Sequence, residues 1–275
     1  GVASAVRADM QNLGLIMRLL KSVFPGLDVG AMTQEIRERI YEELDYELEA
    51  QNQKALARIY RGHPFIVIPD VVTSLSREKV VVTEFVSGRG FEELKQLPQR
   101  ERDRIGEIIY RFYFGSMFRH HQFSGDPHPG NSMLLDDGRM AFLDFGLFKR
   151  IPREVAETQL RIGRAGVEGD GERLRDELLA AGFISNADRL DPDALLEQFA
   201  GLTWWYTTDE VVALEPEIAT RVLIDMSDPR SQWYSHMRHE SVPADYLFGG
   251  RMETLTLAVL SQLRAVGNWH RIWRE

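Results

Sequence analysis

The sequence predicts an α+β protein in which a small lobe with few strands precedes a larger, mainly α-helical lobe. Two β-branched runs, "FIVIP" at 65–69 and "KVVVTEFV" at 79–86, are typical of strands. Beyond the break "SGRG" at 87–90, apolar residues recur mostly at helical spacing. We therefore predict a partial N-terminal lobe over residues 1–86 and a helical C-terminal lobe over residues 87–275.

The N-terminal lobe is predicted to begin with two helices. Apolar residues at steps of three and four predict the first helix over residues 2–24. A second, longer helix is predicted from Met32 to about Tyr60, with Thr33 as its cap and a strongly acidic middle. A polar turn separates the two β-branched runs that follow, and we expect these runs to pair as antiparallel neighbours.

The C-terminal lobe is predicted to be helical except for one central segment. The apolar spacing predicts helices at 99–121, 153–169, 171–182, 192–206, 210–226 and 250–266. Its tryptophans are interpreted as core anchors, because the region lacks the basic face of a membrane-binding or lipid-binding surface. They are Trp204, Trp205, Trp233, Trp269 and Trp273.

Composition excludes several classes of protein. The chain has 275 residues, 44% of them hydrophobic, which is enough for a sizeable core. Its net charge of −9 lacks the basic footprint of a nucleic-acid binder, so we expect no nucleic-acid partner. The sequence contains no cysteine, which fits a cytoplasmic location. No apolar run approaches the roughly 20 residues that a transmembrane helix needs, so we expect no transmembrane segment.

The central segment, "FSGDPHPGNSMLLDDGRMAFLDFGLFKR" at 123–150, gathers oxygen-bearing side chains around a tight turn. Asp126 and Asn131 are five residues apart on a loop restricted by two prolines and by Gly130. We interpret His128, within that loop, as a capping residue. A transition-metal site of His128 with neighbouring histidines and Asp126 is disfavoured, because the spacing matches no known ligand pattern.

A β-hairpin is predicted directly after this loop. Two short apolar segments flank Asp137 and Gly138, which together favour a tight turn. The hairpin would bring its two ends together, so Asn131 and Asp144 are expected to be neighbours in space. Their oxygens are of the kind that Mg²⁺ takes when phosphate and water complete its coordination.

The order D-x-x-x-x-N, hairpin and D-F-G is the spacing of a kinase catalytic loop. In such loops the first aspartate orients or deprotonates the acceptor, and the asparagine and second aspartate hold the metal. This assigns Asp126 the catalytic role and assigns Asn131 and Asp144 the metal.

The motifs "GDPHPGN", "FLDFG", "EELDYELEAQN" and "KVVVTEFVSG" together resemble the UbiB/AarF family of atypical protein-kinase-like proteins. The resemblance covers nearly all of residues 1–150 and implies a protein-kinase-like fold with a truncated small lobe. It also implies ATP and Mg²⁺ as cofactors, with adenine against the backbone around Glu84 and Val86. The implied activity is ATP hydrolysis or phosphotransfer that supports isoprenoid quinone biosynthesis, with an isoprenoid lipid or a quinone-biosynthesis enzyme as partner.

The acidic helix carries the family's remaining signature residues, which map to Glu43, Asp45 and Glu49. Asp45 and Glu49 stand one turn apart, and such a like-charge pair favours a nearby cation. The resemblance implies a strand lysine as that cation, and we expect it to lie upstream of Gly1. Residues 1–275 alone are therefore expected to be inactive.

Two departures from the family pattern remain. The chain has Ser124-Gly125-Asp126 where many members have His-Ala-Asp, so His120 or His121 would have to take the histidine's supporting role. Membrane-bound members carry C-terminal transmembrane helices, and this chain ends instead in a tryptophan-rich segment. We expect a cytoplasmic protein with peripheral contact to the inner face of the membrane.

Two other functions stay open. One is a non-catalytic, nucleotide-gated module that binds a lipid or a partner enzyme, in which Asp126 and Asp144 only hold Mg²⁺–ADP. The other is a small-molecule kinase related to aminoglycoside phosphotransferases, which shares the loop but does not explain the "ELDYELEAQN" helix.

Overall fold

The computed structural model describes residues 17, 21, 29–43, 45–77, 79–185, 190–228, 230–231 and 240–275. The helix predicted over residues 2–24 therefore lies outside the described residues, apart from Met17 and Lys21. Trp233 lies outside them as well.

The described residues form ten α-helices and eight short strands, which confirms the predicted α+β class. The helices are α1 (Val29–Glu43), α2 (Tyr46–Ile59), α3 (Phe91–Leu94), α4 (Gln99–His120), α5 (Arg153–Glu168), α6 (Gly171–Ala180), α7 (Pro192–Thr207), α8 (Pro216–Ser227), α9 (Ala244–Leu263) and α10 (Trp269–Arg274). The strands are β1 (Ile66–Val67), β2 (Gly88–Arg89), β3 (Gln122–Ser124), β4 (Ser132–Leu135), β5 (Met140–Phe142), β6 (Phe148–Arg150), β7 (Val212–Ala213) and β8 (Val266–Gly267).

The single helix predicted from Met32 to Tyr60 is wrong, because Asp45 divides it. Asp45 has an extended backbone (φ −102°, ψ 93°), and its side chain accepts hydrogen bonds from the N–H groups of Glu47 and Leu48. Aspartate is a favoured N-cap, because its carboxylate satisfies N–H groups that have no partner within the helix. The apolar period continues across this cap, which is why the sequence pattern reads as one helix.

The predicted antiparallel pair of strands at 65–69 and 79–86 is also wrong. The four-stranded sheet has the order β1-β5-β4-β2, and β1 pairs parallel with β5. Residues 79–86 form no strand among the described residues. They fold back on residues 70–77 as a loose ribbon with isolated bridges between Val71 and Thr83 and between Arg77 and Val80. We call residues 70–86 the ribbon.

The ribbon forms no regular strands because it has little to pack against. Val80 is 50% exposed and Phe85 is 90% exposed. The β5 positions opposite β1 are Met140 and Ala141, and both are fully buried. The sheet takes strands from both sides of residue 87, and the division of the chain into two lobes there stays a prediction.

The core is centred on α4, which packs against both the hairpin and the C-terminal helices. Phe112 of α4 stacks on Phe142 of β5 with ring centroids 3.8 Å apart. Trp205 and Trp269 are buried against Tyr110 on the other side of α4. The interpretation of the tryptophans as core anchors is confirmed for these two, and Trp204 and Trp273 are partly buried against the same core.

The six helices predicted in the C-terminal region are present, although α8 begins at Pro216 and not at 210, and α9 spans Ala244–Leu263 and not 250–266. The sequence pattern missed the short helices α3 and α10 and the strands β7 and β8. These two strands form a two-residue antiparallel pair that joins residues 55 positions apart, Val212 and Gly267. Trp269 Nε1 donates to the Val212 carbonyl at 3.2 Å and fixes this pair over the core. Strands of two residues are too short to produce a sequence period.

Candidate functional site

The loop that begins at Asp126 is fixed by short strands on either side. α4 ends at His121 in a left-handed conformation (φ 55°), and β3 follows at once. β3 pairs antiparallel with β6, and the Gly125 N–H donates to the Leu147 carbonyl at 2.7 Å. The Asp126 loop and the turn at 144–146 are therefore held beside each other.

The loop is closed by its own hydrogen bonds. The Asn131 side-chain amide donates to the Asp126 carbonyl at 3.2 Å, and the Asn131 backbone N–H donates to the His128 carbonyl at 2.9 Å. His128 Nδ1 accepts from the Gly130 N–H at 3.0 Å and caps a short 3-10 turn. The capping role predicted for His128 is confirmed.

The hairpin brings the two predicted metal ligands to one end, as expected. Ser132 of β4 lies opposite Phe142 of β5, and the Leu143 N–H donates to the Asn131 carbonyl at 3.0 Å. Asn131 and Asp144 thus flank the last hydrogen bond of the hairpin. Their role as metal ligands stays a prediction.

Asp144 and Phe145 point in opposite directions with respect to the core. Phe145 is fully buried, whereas Asp144 is exposed. Asp144 Oδ1 accepts from the Gly146 N–H at 3.0 Å, which fixes the carboxylate in a tight turn. The tripeptide therefore anchors its ring in the core and presents a carboxylate at the surface of the site.

Tyr113 is buried within electrostatic range of Asp126 and Asp144, and no sequence pattern indicates it. Burial and then the negative charges of Asp126 and Asp144 raise its pKa well above the ordinary value for tyrosine. Its ring packs edge-on against Phe142, with centroids 5.9 Å apart. The Tyr113 hydroxyl therefore stays protonated and remains a hydrogen-bond donor at neutral pH.

Arg251 of α9 is a second residue that the sequence analysis missed. Its Nη2 lies 2.7 Å from Asp126 Oδ1, and its Nε donates to the Gly125 carbonyl at 3.2 Å. The pair is partly exposed, so its contribution to stability is small. Arg251 is 125 residues from Asp126 in sequence, and no local pattern signals such a pairing.

The acidic signature residues have different positions in the structure. Asp45 caps α2, as described above, so its side chain is engaged with the helix backbone. Glu49 lies in the first turn of α2 and is half-buried. Glu43 is the last residue of α1, and its side chain lies outside the described residues. The helix is tied to the chain before the ribbon by Gln53, whose amide donates to the Pro69 carbonyl at 2.7 Å.

Glu84 and Val86, predicted to lie beside adenine, belong to the ribbon. Glu84 is exposed, and its N–H donates to the Asp70 carbonyl at 2.7 Å. Val86 is half-buried and precedes β2 by two residues. Their role stays a prediction.

The donor set at the end of the hairpin suits a hard cation. The Asn131 N–H₂ group is engaged by the loop, which leaves the amide oxygen available to a cation. No cluster of three or more His, Cys, Asp or Glu side chains that could hold a metal occurs in the described ranges. Mg²⁺ fits this sparse set, because in phosphate-transfer sites it takes one or two protein ligands and completes its shell with phosphate oxygens and water.

Comparison with known proteins points to one family. A family model described as the ABC1 atypical kinase-like domain matches residues 1–178. Over 194 residues the chain is 27% identical to the chloroplastic protein ACTIVITY OF BC1 COMPLEX KINASE 8 of Arabidopsis thaliana. This alignment covers 67% of this chain and 25% of that protein. Over 192 residues the chain is 26% identical to the mitochondrial atypical kinase COQ8B of Danio rerio. This second alignment covers 68% of this chain and 31% of that protein.

A solved structure extends the likeness to almost the whole chain. The complex of Rv3197 with erythromycin from Mycobacterium tuberculosis superposes with a TM-score of 0.74 at 28% identity. The match covers 98% of this chain and 67% of that one. The predicted protein-kinase-like fold is thus confirmed, and the chain spans about a quarter to a third of the length of the curated relatives given above.

Proposed function

This chain belongs to the ABC1 atypical kinase-like family, and we propose that it contributes the Mg²⁺-binding and catalytic loops of an ATP-dependent kinase or ATPase. Asn131 and Asp144 would hold Mg²⁺ together with the nucleotide phosphates. The ion would neutralise charge that develops on the phosphates during transfer. Asp126 would orient the acceptor hydroxyl or water and take its proton.

One observation carries this proposal. The Asp126 loop, the hairpin and the Asp144 turn form one hydrogen-bonded unit, in which the Leu143 N–H reaches the Asn131 carbonyl at 3.0 Å. Kinase chemistry depends on fixed positions of a base and two metal ligands more than on unusual side-chain reactivity. A short closed loop joined to a buried hairpin provides such fixed positions.

The other predicted residues would serve the nucleotide. The backbone around Glu84 and Val86 would contact adenine, and Glu49 would orient a lysine that approaches the phosphates, with Glu43 and Asp45 beside it. Asp45 would act indirectly, because its carboxylate caps the helix that carries Glu49.

The test compares single carboxylate-to-amide variants of the full-length gene product. We expect Asp126→Asn to lower ATP turnover by about 10²-fold or more while Mg²⁺–ATP still binds. We expect Asp144→Asn to weaken Mg²⁺–ATP binding as well. Asp136→Asn is the matched control, since Asp136 is an exposed aspartate at the opposite end of the same hairpin. Wild-type turnover in both Asp126→Asn and Asp144→Asn would contradict the proposal.

A second candidate function is a non-catalytic, nucleotide-gated module that binds a lipid or a partner enzyme. It is favoured by the ion pair between Asp126 and Arg251, because the guanidinium engages a carboxylate oxygen of Asp126 that a catalytic role would direct at the acceptor. Binding of Mg²⁺–ATP without turnover in wild type would support this candidate. Turnover that rises in Arg251→Gln would show that the arginine restrains a catalytic Asp126.

The biological setting is proposed from the family resemblance. We propose support of isoprenoid quinone or lipid metabolism, in the cytoplasm and at the inner face of the membrane, without nucleic acid as partner. The described helices include none that is both long and apolar enough to cross a bilayer. We also propose that residues 1–275 tested alone do not turn over ATP, and the same assay on this chain measures that directly.

A further inference from the structure

A cavity of about 150 Å³ lies in the helical region, where five long helices and α10 converge. Its wall is mostly apolar and includes Phe118 of α4, Ile162 of α5, Leu178 of α6 and Trp273 of α10. A void of this size in an apolar setting holds about one benzene-sized molecule. None of these residues belongs to the Asp126 loop or to the hairpin.

The shape of the cavity depends on a glycine. A Cβ atom at Gly163 would lie 2.9 Å from the Trp273 ring, so only glycine lets this ring close one side of the cavity. Trp273 also packs edge-on against Tyr206, with centroids 5.9 Å apart. The aromatic wall is therefore built by specific contacts and is not simply a loose region of the core.

One carboxyl group opens into this apolar space. Glu253 of α9 is the only charged side chain among the described residues that line the cavity. It receives a hydrogen bond from the Tyr206 hydroxyl. Burial raises the pKa of Glu253 to about 7. Among the described residues, the carboxyl group has thus lost most of its hydration without gaining a positive partner.

We propose that this cavity binds a small apolar molecule that carries a protonated amine. The apolar part would fill the space between Leu178, Ile162 and Trp273, and the ammonium would pair with Glu253. Because this group is already buried in the folded protein, a cationic ligand adds attraction to the carboxylate with little further loss of hydration at Glu253. A neutral molecule of the same size would gain only the apolar contacts.

The test titrates the 275-residue chain with benzylamine, toluene and phenylacetate by ligand-observed NMR. We expect benzylamine to bind about tenfold more tightly than toluene and phenylacetate not to bind. Glu253→Gln should lower benzylamine affinity by about tenfold and leave toluene affinity unchanged. Equal affinities for benzylamine and toluene, or benzylamine affinity that is unchanged in Glu253→Gln, would overturn the proposal.

A pair of variants on α6 locates the binding site. Leu178→Phe adds a ring to a residue that lines the cavity and should abolish binding of both benzylamine and toluene. Leu179→Phe makes the same change at the next residue, which is 39% exposed and does not line the cavity, and should leave binding unchanged. If benzylamine binds Leu178→Phe as well as wild type, the proposal is wrong. If Leu178→Phe fails to fold, the comparison with Glu253→Gln decides alone.

Discussion

The hairpin of β4 and β5 is buried, whereas the ribbon of residues 70–86 leaves its apolar side chains in solvent. Leu134, Met140 and Phe142 of the hairpin are at most 2% exposed. Val80 and Phe85 of the ribbon are 50% and 90% exposed. The ribbon is the segment richer in β-branched residues, whereas the hairpin strands read SMLL and MAF, so the difference shows that a strand needs a packing layer more than it needs β-propensity.

The same difference separates two parts of the proposed nucleotide site. Asn131 and Asp144 are held by the hairpin, which rests on α4 through the stacked rings of Phe112 and Phe142. Glu84 is held within the ribbon by Asp70: the Glu84 N–H donates to the Asp70 carbonyl, and the Glu84 carboxylate accepts from the Asp70 N–H. We infer that the proposed metal-binding half of the site is the more rigid half.

The largest expected effect compares Phe142 of the hairpin with Phe85 of the ribbon. Phe142→Ala should lower the free energy of unfolding by about 3–5 kcal/mol, because it removes a stacked ring and leaves a cavity. Phe85→Ala should change it by less than about 0.5 kcal/mol, because an exposed ring leaves no cavity. Urea denaturation of both variants measures the difference. A loss above about 1 kcal/mol in Phe85→Ala would mean that the ribbon is packed.

The next effect concerns an ion pair that ties α1 to the strand after the Asp144 turn. Lys149 Nζ of β6 contacts Glu35 Oε1, and both residues are buried. Lys149→Met should cost about 3 kcal/mol, since it leaves a buried carboxylate without its cation. This is the lower end of the usual range, because Glu35 has a further interaction.

A double variant separates the ion pair from simple packing at the same position. Glu35→Met combined with Lys149→Met should recover most of the stability that Lys149→Met loses, because no buried charge remains. An additive loss in the double variant would show that the two charges do not interact. Urea denaturation is again the measurement.

A third effect concerns Glu253 of α9. Burial raises the pKa of Glu253 from 4.5 to about 7 in the folded protein, so the folded state holds this proton where the unfolded state has released it. The contribution of Glu253 is therefore fully present below pH 4.5 and is lost as the pH rises to about 7. The loss is on the order of 3 kcal/mol.

Glu253→Gln isolates this contribution. The difference in unfolding free energy between the variant and wild type should move in favour of the variant as the pH rises from 4.5 to 7 and stay constant above that range. Glu172→Gln, an exposed glutamate on α6, should show no such change. A flat difference curve for Glu253→Gln would contradict the prediction.

The smallest effect concerns the turn of the hairpin itself. Gly138 has φ +84°, and Arg104 Nη1 donates to its carbonyl at 2.9 Å. Gly138→Val should cost about 1–3 kcal/mol, because a β-branched residue is strained at positive φ, and it should weaken Mg²⁺–nucleotide binding in the full-length protein. Gly138→Asn should cost less, since asparagine tolerates this conformation. Equal melting temperatures for wild type and Gly138→Val would show that the turn does not constrain the site.

Local rules are enough to predict the parts of the site that lie within one short segment. The prolines and Gly130 restrict the loop from Asp126 to Asn131, and the turn at Gly138 sets the hairpin register. These constraints act over a few residues, and so the neighbourhood of Asn131 and Asp144 could be predicted. The helices of the C-terminal region could be predicted as well, because the apolar spacing that indicates each helix lies within its own segment.

Packing in the folded chain sets which distant segments meet. The ion pairs of Arg251 with Asp126 and of Lys149 with Glu35 join residues 125 and 114 positions apart. Three further features also depend on long-range packing. They are the pairing of β1 with β5 and not with the ribbon, the exposure of Phe85, and the cavity around Glu253. Such pairings depend on which surfaces compete for burial in the folded chain, and that competition leaves no period, spacing or turn signal in the sequence.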